Sequence, residues 1–140
     1  MNFREDYGLP KTQRLLKVAE FNTVYSRGTA YHHRFFVLFV LEVAPLSPVD
    51  STVRRVGIVA GKKVGGAVKR NRAKRLLREA YRLNKNKLIQ GLDIVLVAKR
   101  NLPDLTFYEV EKNLLYIFKK ANIIKTLMTT DRKTCLETVN

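Results

Sequence analysis

The sequence predicts one α/β domain in which helices pack on a single sheet. Three observations carry that prediction. Apolar residues recur at helical spacing in three stretches and at strand spacing in three others. The chain has 140 residues, enough for one ordinary core. Hydrophobic residues make up 46%, so a compact fold is affordable without metal or disulfide staples.

The elements follow in order. Residues 1–13 read as a flexible N-terminal segment, 14–124 as the folded domain, and 125–140 as a loosely ordered tail. Phe21, Val24 and Tyr25 lie at i, i+3 and i+4, which predicts a short helix over about 19–27 that stops at Gly28. "RFFVLFVLEV" is aromatic and β-branched and predicts a strand over about 34–43. Its continuous apolar character predicts cover on both faces, and strand alternation puts Phe35 and Phe39 on one of them. "APLSPVDST" is a loop, and "RRVGIVAG" is the next strand, with a hairpin between the two as the simplest pairing. Gly65 and Gly66 mark a bend. Ala73, Leu76, Leu77 and Ala80 then repeat as one helical stripe, with Asn71, Lys74, Arg75, Arg78, Arg82 and Lys85 on the opposite face. "LDIVLVAK" is a third strand. The last helix opens on Thr106 and Glu109 at capping-box spacing and buries Phe107, Val110, Leu114, Ile117, Phe118 and Ala121. An extra helical turn through Leu127 follows.

Charge points to the partner. The formal net charge is +15, and residues 54–87 hold thirteen basic side chains against one acid, Glu79. That density favours a polyanion. Solvated faces normally mix signs, and this one does not. A membrane surface fits less well, because an interfacial helix wants bulky apolar anchors and this stripe is partly alanine. "MNFREDYGLP" has no apolar core of a signal peptide, and no apolar run approaches a bilayer span, so a cytoplasmic location is expected.

Catalytic and metal-binding classes find little support. The acids do not cluster; Glu109 and Glu111 are two apart on a helix and do not share a face. His32 and His33 are adjacent on an extended segment and point apart. "GKKVGG" lacks the order of a Walker loop. The lone Cys135 can form neither an internal disulfide nor a thiolate metal site. The aromatic residues Phe21, Tyr25, Phe35, Phe36 and Phe39 read either as core or as a stacking platform for single-stranded bases, with Arg14, Lys17, Arg27 and Arg34 beside them.

"VGIVAGKKVGGAVKRNRAKRLLREAYR" resembles the signature of the bacterial ribonuclease P protein family. A strand leads into a Lys-Lys turn (Lys62, Lys63) and an Arg-Asn-Arg helix (Arg70, Asn71, Arg72), which continues through Lys74, Arg75, Leu76, Leu77, Arg78 and Tyr81. The similarity runs from about 14 to 121 and includes "EFNTVYSRGT", "DIVLVAKR" and "LTFYEVEKNLLYIFKKA". The resemblance implies a two-layer α/β sandwich of order α-β-β-β-α-β-α. Its four-stranded sheet would include a short strand near 29–32 and a left-handed βαβ crossover, against a general rule that makes ~98% of crossovers right-handed.

The resemblance also implies a function. The protein is a subunit of an endoribonuclease that removes the 5′ leader of precursor tRNA, while an RNA subunit with bound Mg²⁺ does the chemistry. Lys62, Lys63, Lys69, Arg70, Asn71, Arg72, Lys74, Arg75, Arg78 and Arg82 would then face the catalytic RNA. Phe21, Tyr25 and Phe39, with Arg14, Lys17 and Arg34, would line a cleft for the leader. The loop over about 45–54 is placed against the RNA subunit. The chain departs from the pattern where Gly61 replaces a common serine, where Gly66 widens the turn, and in the tail after Ile124. A general RNA-binding or ribosome-associated protein is the alternative.

Overall fold

A computed structural model describes Leu9 and residues 11–43 and 54–124. The expected extra turn through Leu127, the tail and nearly all of the 45–54 loop lie outside the described residues. Three α-helices, α1 (Val18–Arg27), α2 (Ala67–Asn84) and α3 (Phe107–Lys120), accompany four strands, β1 (Thr29–His32), β2 (Phe36–Glu42), β3 (Arg54–Val59) and β4 (Leu92–Ala98).

The sheet order is β1-β2-β4-β3. β1 and β4 both run antiparallel to β2, and β3 runs parallel to β4. This corrects the expected hairpin of β2 with β3. The reason is the composition of β4: "LDIVLVA" is buried at six of its seven positions and half-buried at Val97, so it takes the central place between them. β3, α2 and β4 form the crossover unit that a parallel pair requires. The short strand near 29–32 is present as β1, opposite residues 37–40.

One face of the sheet carries the main core. Phe36, Leu38, Val40, Val56, Ile94 and Leu96 meet Ala73, Leu76, Leu77, Ala80 and Tyr81 of α2 and Val110, Leu114, Ile117 and Phe118 of α3. Phe107 is only half-buried at the start of that stripe. The Tyr81 hydroxyl has no hydrogen-bond partner among the described residues, and burial pushes its pKa up to about 12. α3 is capped as its sequence predicts: Thr106 Oγ1 accepts from Glu109 N (3.2 Å), and Glu109 Oε1 accepts from Thr106 N (2.9 Å).

The opposite face is covered only in part. α1 lies across it, and Leu15, Val24 and Val95 form a small second cluster flanked by Phe21, Phe39, Leu41, Val59 and Val97. β2 therefore alternates buried and half-buried residues rather than being buried on both faces. Phe35 precedes the strand and packs with the α2–α3 core, so it does not share a face with Phe39.

Candidate nucleic-acid interface

The basic surface begins at a tight turn. Lys62–Val64 form a 3-10 turn, and Gly65 follows with φ of 140°, a conformation that favours glycine. Gly66 has ordinary extended backbone, so the turn depends on Gly65 and not on Gly66. A side chain at Gly61 would meet open space, so the serine common at that position would fit.

α2 then presents its charge. Its first turn contains no acid, and Lys69 and Arg70 stand near its positive end, a placement that the helix dipole penalises. The helix gains nothing from cations there, but an approaching anion does. Lys62, Lys63, Lys69, Asn71, Arg75 and Arg78 are exposed, while Arg70, Lys74 and Arg82 are half-buried.

Three of these basic residues have partners within the protein. Arg72 donates from Nε to the Pro103 carbonyl (2.6 Å) and from a terminal nitrogen to the Leu105 carbonyl (3.1 Å), tying α2 to the segment before α3. Lys85, expected on the outer face, is 2% exposed and donates to Gln13 Oε1 (2.7 Å). It lies just past the end of α2, where helical spacing no longer places side chains. Arg82 pairs with Glu79.

The second surface lies on the other side of the sheet. Tyr25 of α1 meets Phe39 of β2 edge-on, with ring centroids 4.9 Å apart. The Phe21 ring lies over Gly57 of β3, and a Cβ there would overlap it. Phe21 and Phe39 pack against the same small cluster on the α1 side of the sheet, Tyr25 meets Phe39, and all three are partly open to solvent. Arg14 joins them: its backbone bridges to Val56, and it lines a groove with Phe21, Gly57 and Arg78. Arg78 of α2 therefore stands where the basic surface and the aromatic cleft meet. Lys17 is the exposed residue that opens α1. Arg34 is not beside them. It sits in the β1–β2 turn with its guanidinium 5.3 Å from the Phe35 ring centroid, at the other end of the strands from Glu20 and Arg55.

A clasp holds α1 in place. Arg55 on β3 grips Asp93 on β4 through two hydrogen bonds (2.9 and 2.7 Å) and reaches Glu20 on α1 at 3.1 Å. Glu20 Oε1 also accepts from Lys17 N (3.0 Å) and Leu16 N (2.8 Å). These backbone donors, with the charge of Arg55, hold its carboxyl below the ordinary glutamate value of 4.5. Neither the clasp nor the role of Gly57 was read from the sequence. The only local signal was Glu20, an acid in the first turn of the predicted helix.

The comparisons with known proteins agree with this geometry. Residues 9–122 match the family model Ribonuclease P. The ribonuclease P protein component of Finegoldia magna is 40% identical over 114 residues, which cover 81% of this chain and 95% of that protein. The same component of Bacillus velezensis is 38% identical over 117 residues, covering 84% and 96%. The solved structure of the Staphylococcus aureus RNase P protein matches with a TM-score of 0.70 at 29% identity, over 82% of this chain and all of that one. The Thermotoga maritima RNase P protein matches with a TM-score of 0.64 at 30% identity, over 76% and 96%. With its matched length, its sequence identity and its fold all in agreement, the chain belongs to the ribonuclease P protein family.

Proposed function

We propose that the chain is the protein subunit of a cytoplasmic ribonuclease P in which a partner RNA, with Mg²⁺, cuts the phosphodiester between the 5′ leader and the mature tRNA. The exposed cations of α2 and of the Lys62–Val64 turn hold the catalytic RNA by neutralising phosphates. The cleft of Phe21, Tyr25 and Phe39 holds the single-stranded leader by stacking its bases. One observation supports this reading: a cationic helix and a set of partly exposed aromatic rings lie on opposite faces of one sheet, and Arg78 and Phe21 line one groove between them. A protein that only coats RNA needs the first surface and not the second.

The division of labour with RNA has its own support. Glu20 and Asp93, the carboxylates that converge, are both taken by Arg55. Among the described residues, no three His, Cys, Asp or Glu gather at one point. The reading accordingly assigns the ion to the RNA and gives the protein binding and positioning.

Reconstitution tests it. The protein, mixed with a cognate catalytic RNA and precursor tRNA at moderate Mg²⁺, should raise 5′ processing above that of the RNA alone and should cut nothing without it. No gain over RNA alone would reject the proposal. Equal affinity for mature and leader-bearing tRNA in the reconstituted enzyme would favour a general RNA-binding protein.

A further inference from the structure

The outer face of α3 belongs to neither surface above. Tyr108, Lys112, Tyr116 and Lys119 follow at i, i+4, i+8 and i+11 and so line one side of the helix, away from the buried Val110, Leu114, Ile117 and Phe118. Tyr108 is 68% exposed and Tyr116 56%. Residues 99–124 contain five cations, Lys99, Arg100, Lys112, Lys119 and Lys120, and three acids. Two of those acids are engaged: Glu109 closes the cap with Thr106, and Glu111 accepts from Asn84 on α2 (2.8 Å). Five cations against three acids still leave the stretch net positive.

The β1–β2 turn extends this strip. His33 stacks on Phe36 at 4.6 Å and meets the Tyr116 ring at 6.2 Å. The charges of Lys99 and Lys120 both reach His33. Arg34 stands next in the chain, over Phe35. The result is a surface on which cations and rings alternate, from Arg34 through His33 and Tyr116 to Lys112 and Tyr108. Exposed rings among an excess of cations suit single-stranded nucleic acid, whose bases stack while its phosphates are neutralised. A membrane would need larger apolar anchors than tyrosines set among lysines.

Position names the occupant. β2 carries the cleft residue Phe39, and the strand begins at Phe36 against Ala98, with Arg34 and Lys99 just beyond. RNA lying along β2 on the α1 side and leaving the sheet at that end reaches the β1–β2 turn and, round it, the outer face of α3. We propose that the β1–β2 turn and the outer face of α3 form a second contact for single-stranded RNA, which takes the stretch of leader beyond the part held in the cleft. This rests on the leader-cleft reading above.

The test uses the reconstituted enzyme and three substrates: mature tRNA, precursor with a leader just long enough to fill the cleft, and precursor with a leader several times longer. Tyr108→Ala/Tyr116→Ala removes the rings, and Lys112→Ala/Lys119→Ala removes only charge, so the second pair still reports if the first disturbs packing. The tyrosine pair should weaken the long-leader substrate by about fivefold or more, the low end for one lost stacking contact, the lysine pair should weaken it and flatten its salt dependence, and both should leave the other two substrates unchanged. No change on the long leader, or an equal loss on all three substrates, would overturn the proposal; the equal loss would assign the strip to the catalytic RNA. If the wild-type enzyme bound mature and precursor tRNA alike, the leader-cleft reading itself would fall, and this one with it.

Discussion

α1 and α2 lie on opposite faces of the same sheet and are held there by different means. α2 is fixed by burial: Ala73, Leu76, Leu77, Ala80 and Tyr81 sink into the main core, so its outer face is left to charge. α1 buries only Val24 fully and relies on the Arg55 clasp and on the contact of Phe21 with Gly57. A surface that reads phosphates can be redundant, because each cation adds its own increment. On the proposed function, the α1 side stacks bases and needs its rings at set positions, and the Arg55 clasp holds the helix that carries Phe21 and Tyr25. Damage to the α1 side should therefore come from single residues, and damage to the α2 side from accumulated ones.

The largest effect is expected at Asp93. Asp93→Ala leaves Arg55 without its bidentate partner and should cost about 2–3 kcal/mol, toward the low end for a buried pair because Arg55 is a third exposed. Chemical denaturation reads the loss as a lower midpoint at unchanged slope. At temperatures where the variant remains folded, leader affinity should fall more than affinity for the catalytic RNA. Gly57→Ala comes next. Its Cβ would overlap the Phe21 ring, an overpacking worth about 1–3 kcal/mol, and the ring must move out of the cleft wall. Precursor binding should weaken while binding to the catalytic RNA holds.

The α2 side should respond more gently and more uniformly. Arg75→Ala or Arg78→Ala should reduce RNA affinity regardless of sequence and flatten its salt dependence by ~0.7–0.9 per lost contact. Arg72→Ala sharpens the contrast. Its guanidinium is bound to the carbonyls of Pro103 and Leu105, so its loss should lower stability more than it changes the salt slope. The smallest effect concerns pH. The folded-state pKa of Glu20 lies below 4.5, so the stability from its ionised form is present above that value and is lost as pH falls through the folded pKa. Glu20→Gln should remove that acid-side component of the stability curve and leave the neutral side with a lower, flatter plateau.

The helices were legible in the sequence because their signals are local. The stripe of α2 and the Thr106–Glu109 cap need only neighbours three and four residues away. The family resemblance supplied β1, which composition alone did not show. What the sequence hid was pairing. Arg55 and Asp93 lie 38 residues apart and meet only because β3 joins β4 and not β2. Without that pairing, Gly57 is an ordinary strand glycine. Arg34 and Lys85 were misplaced for a related reason. Each sits at the end of an element, where periodicity no longer fixes direction: Arg34 turns over its neighbour Phe35, and Lys85 reaches Gln13, a partner 72 residues away.

The most direct test of two surfaces with two jobs is a pair of variants measured on two ligands. Phe21→Ala and Arg75→Ala proteins would each be titrated against the catalytic RNA, and the reconstituted enzymes against precursor and mature tRNA. Phe21→Ala should lower the preference for precursor over mature tRNA by about fivefold or more and leave catalytic-RNA binding unchanged. Arg75→Ala should weaken catalytic-RNA binding and leave that preference intact. Equal losses on both ligands for Phe21→Ala would make the ring part of the core rather than the cleft, and would contradict the account.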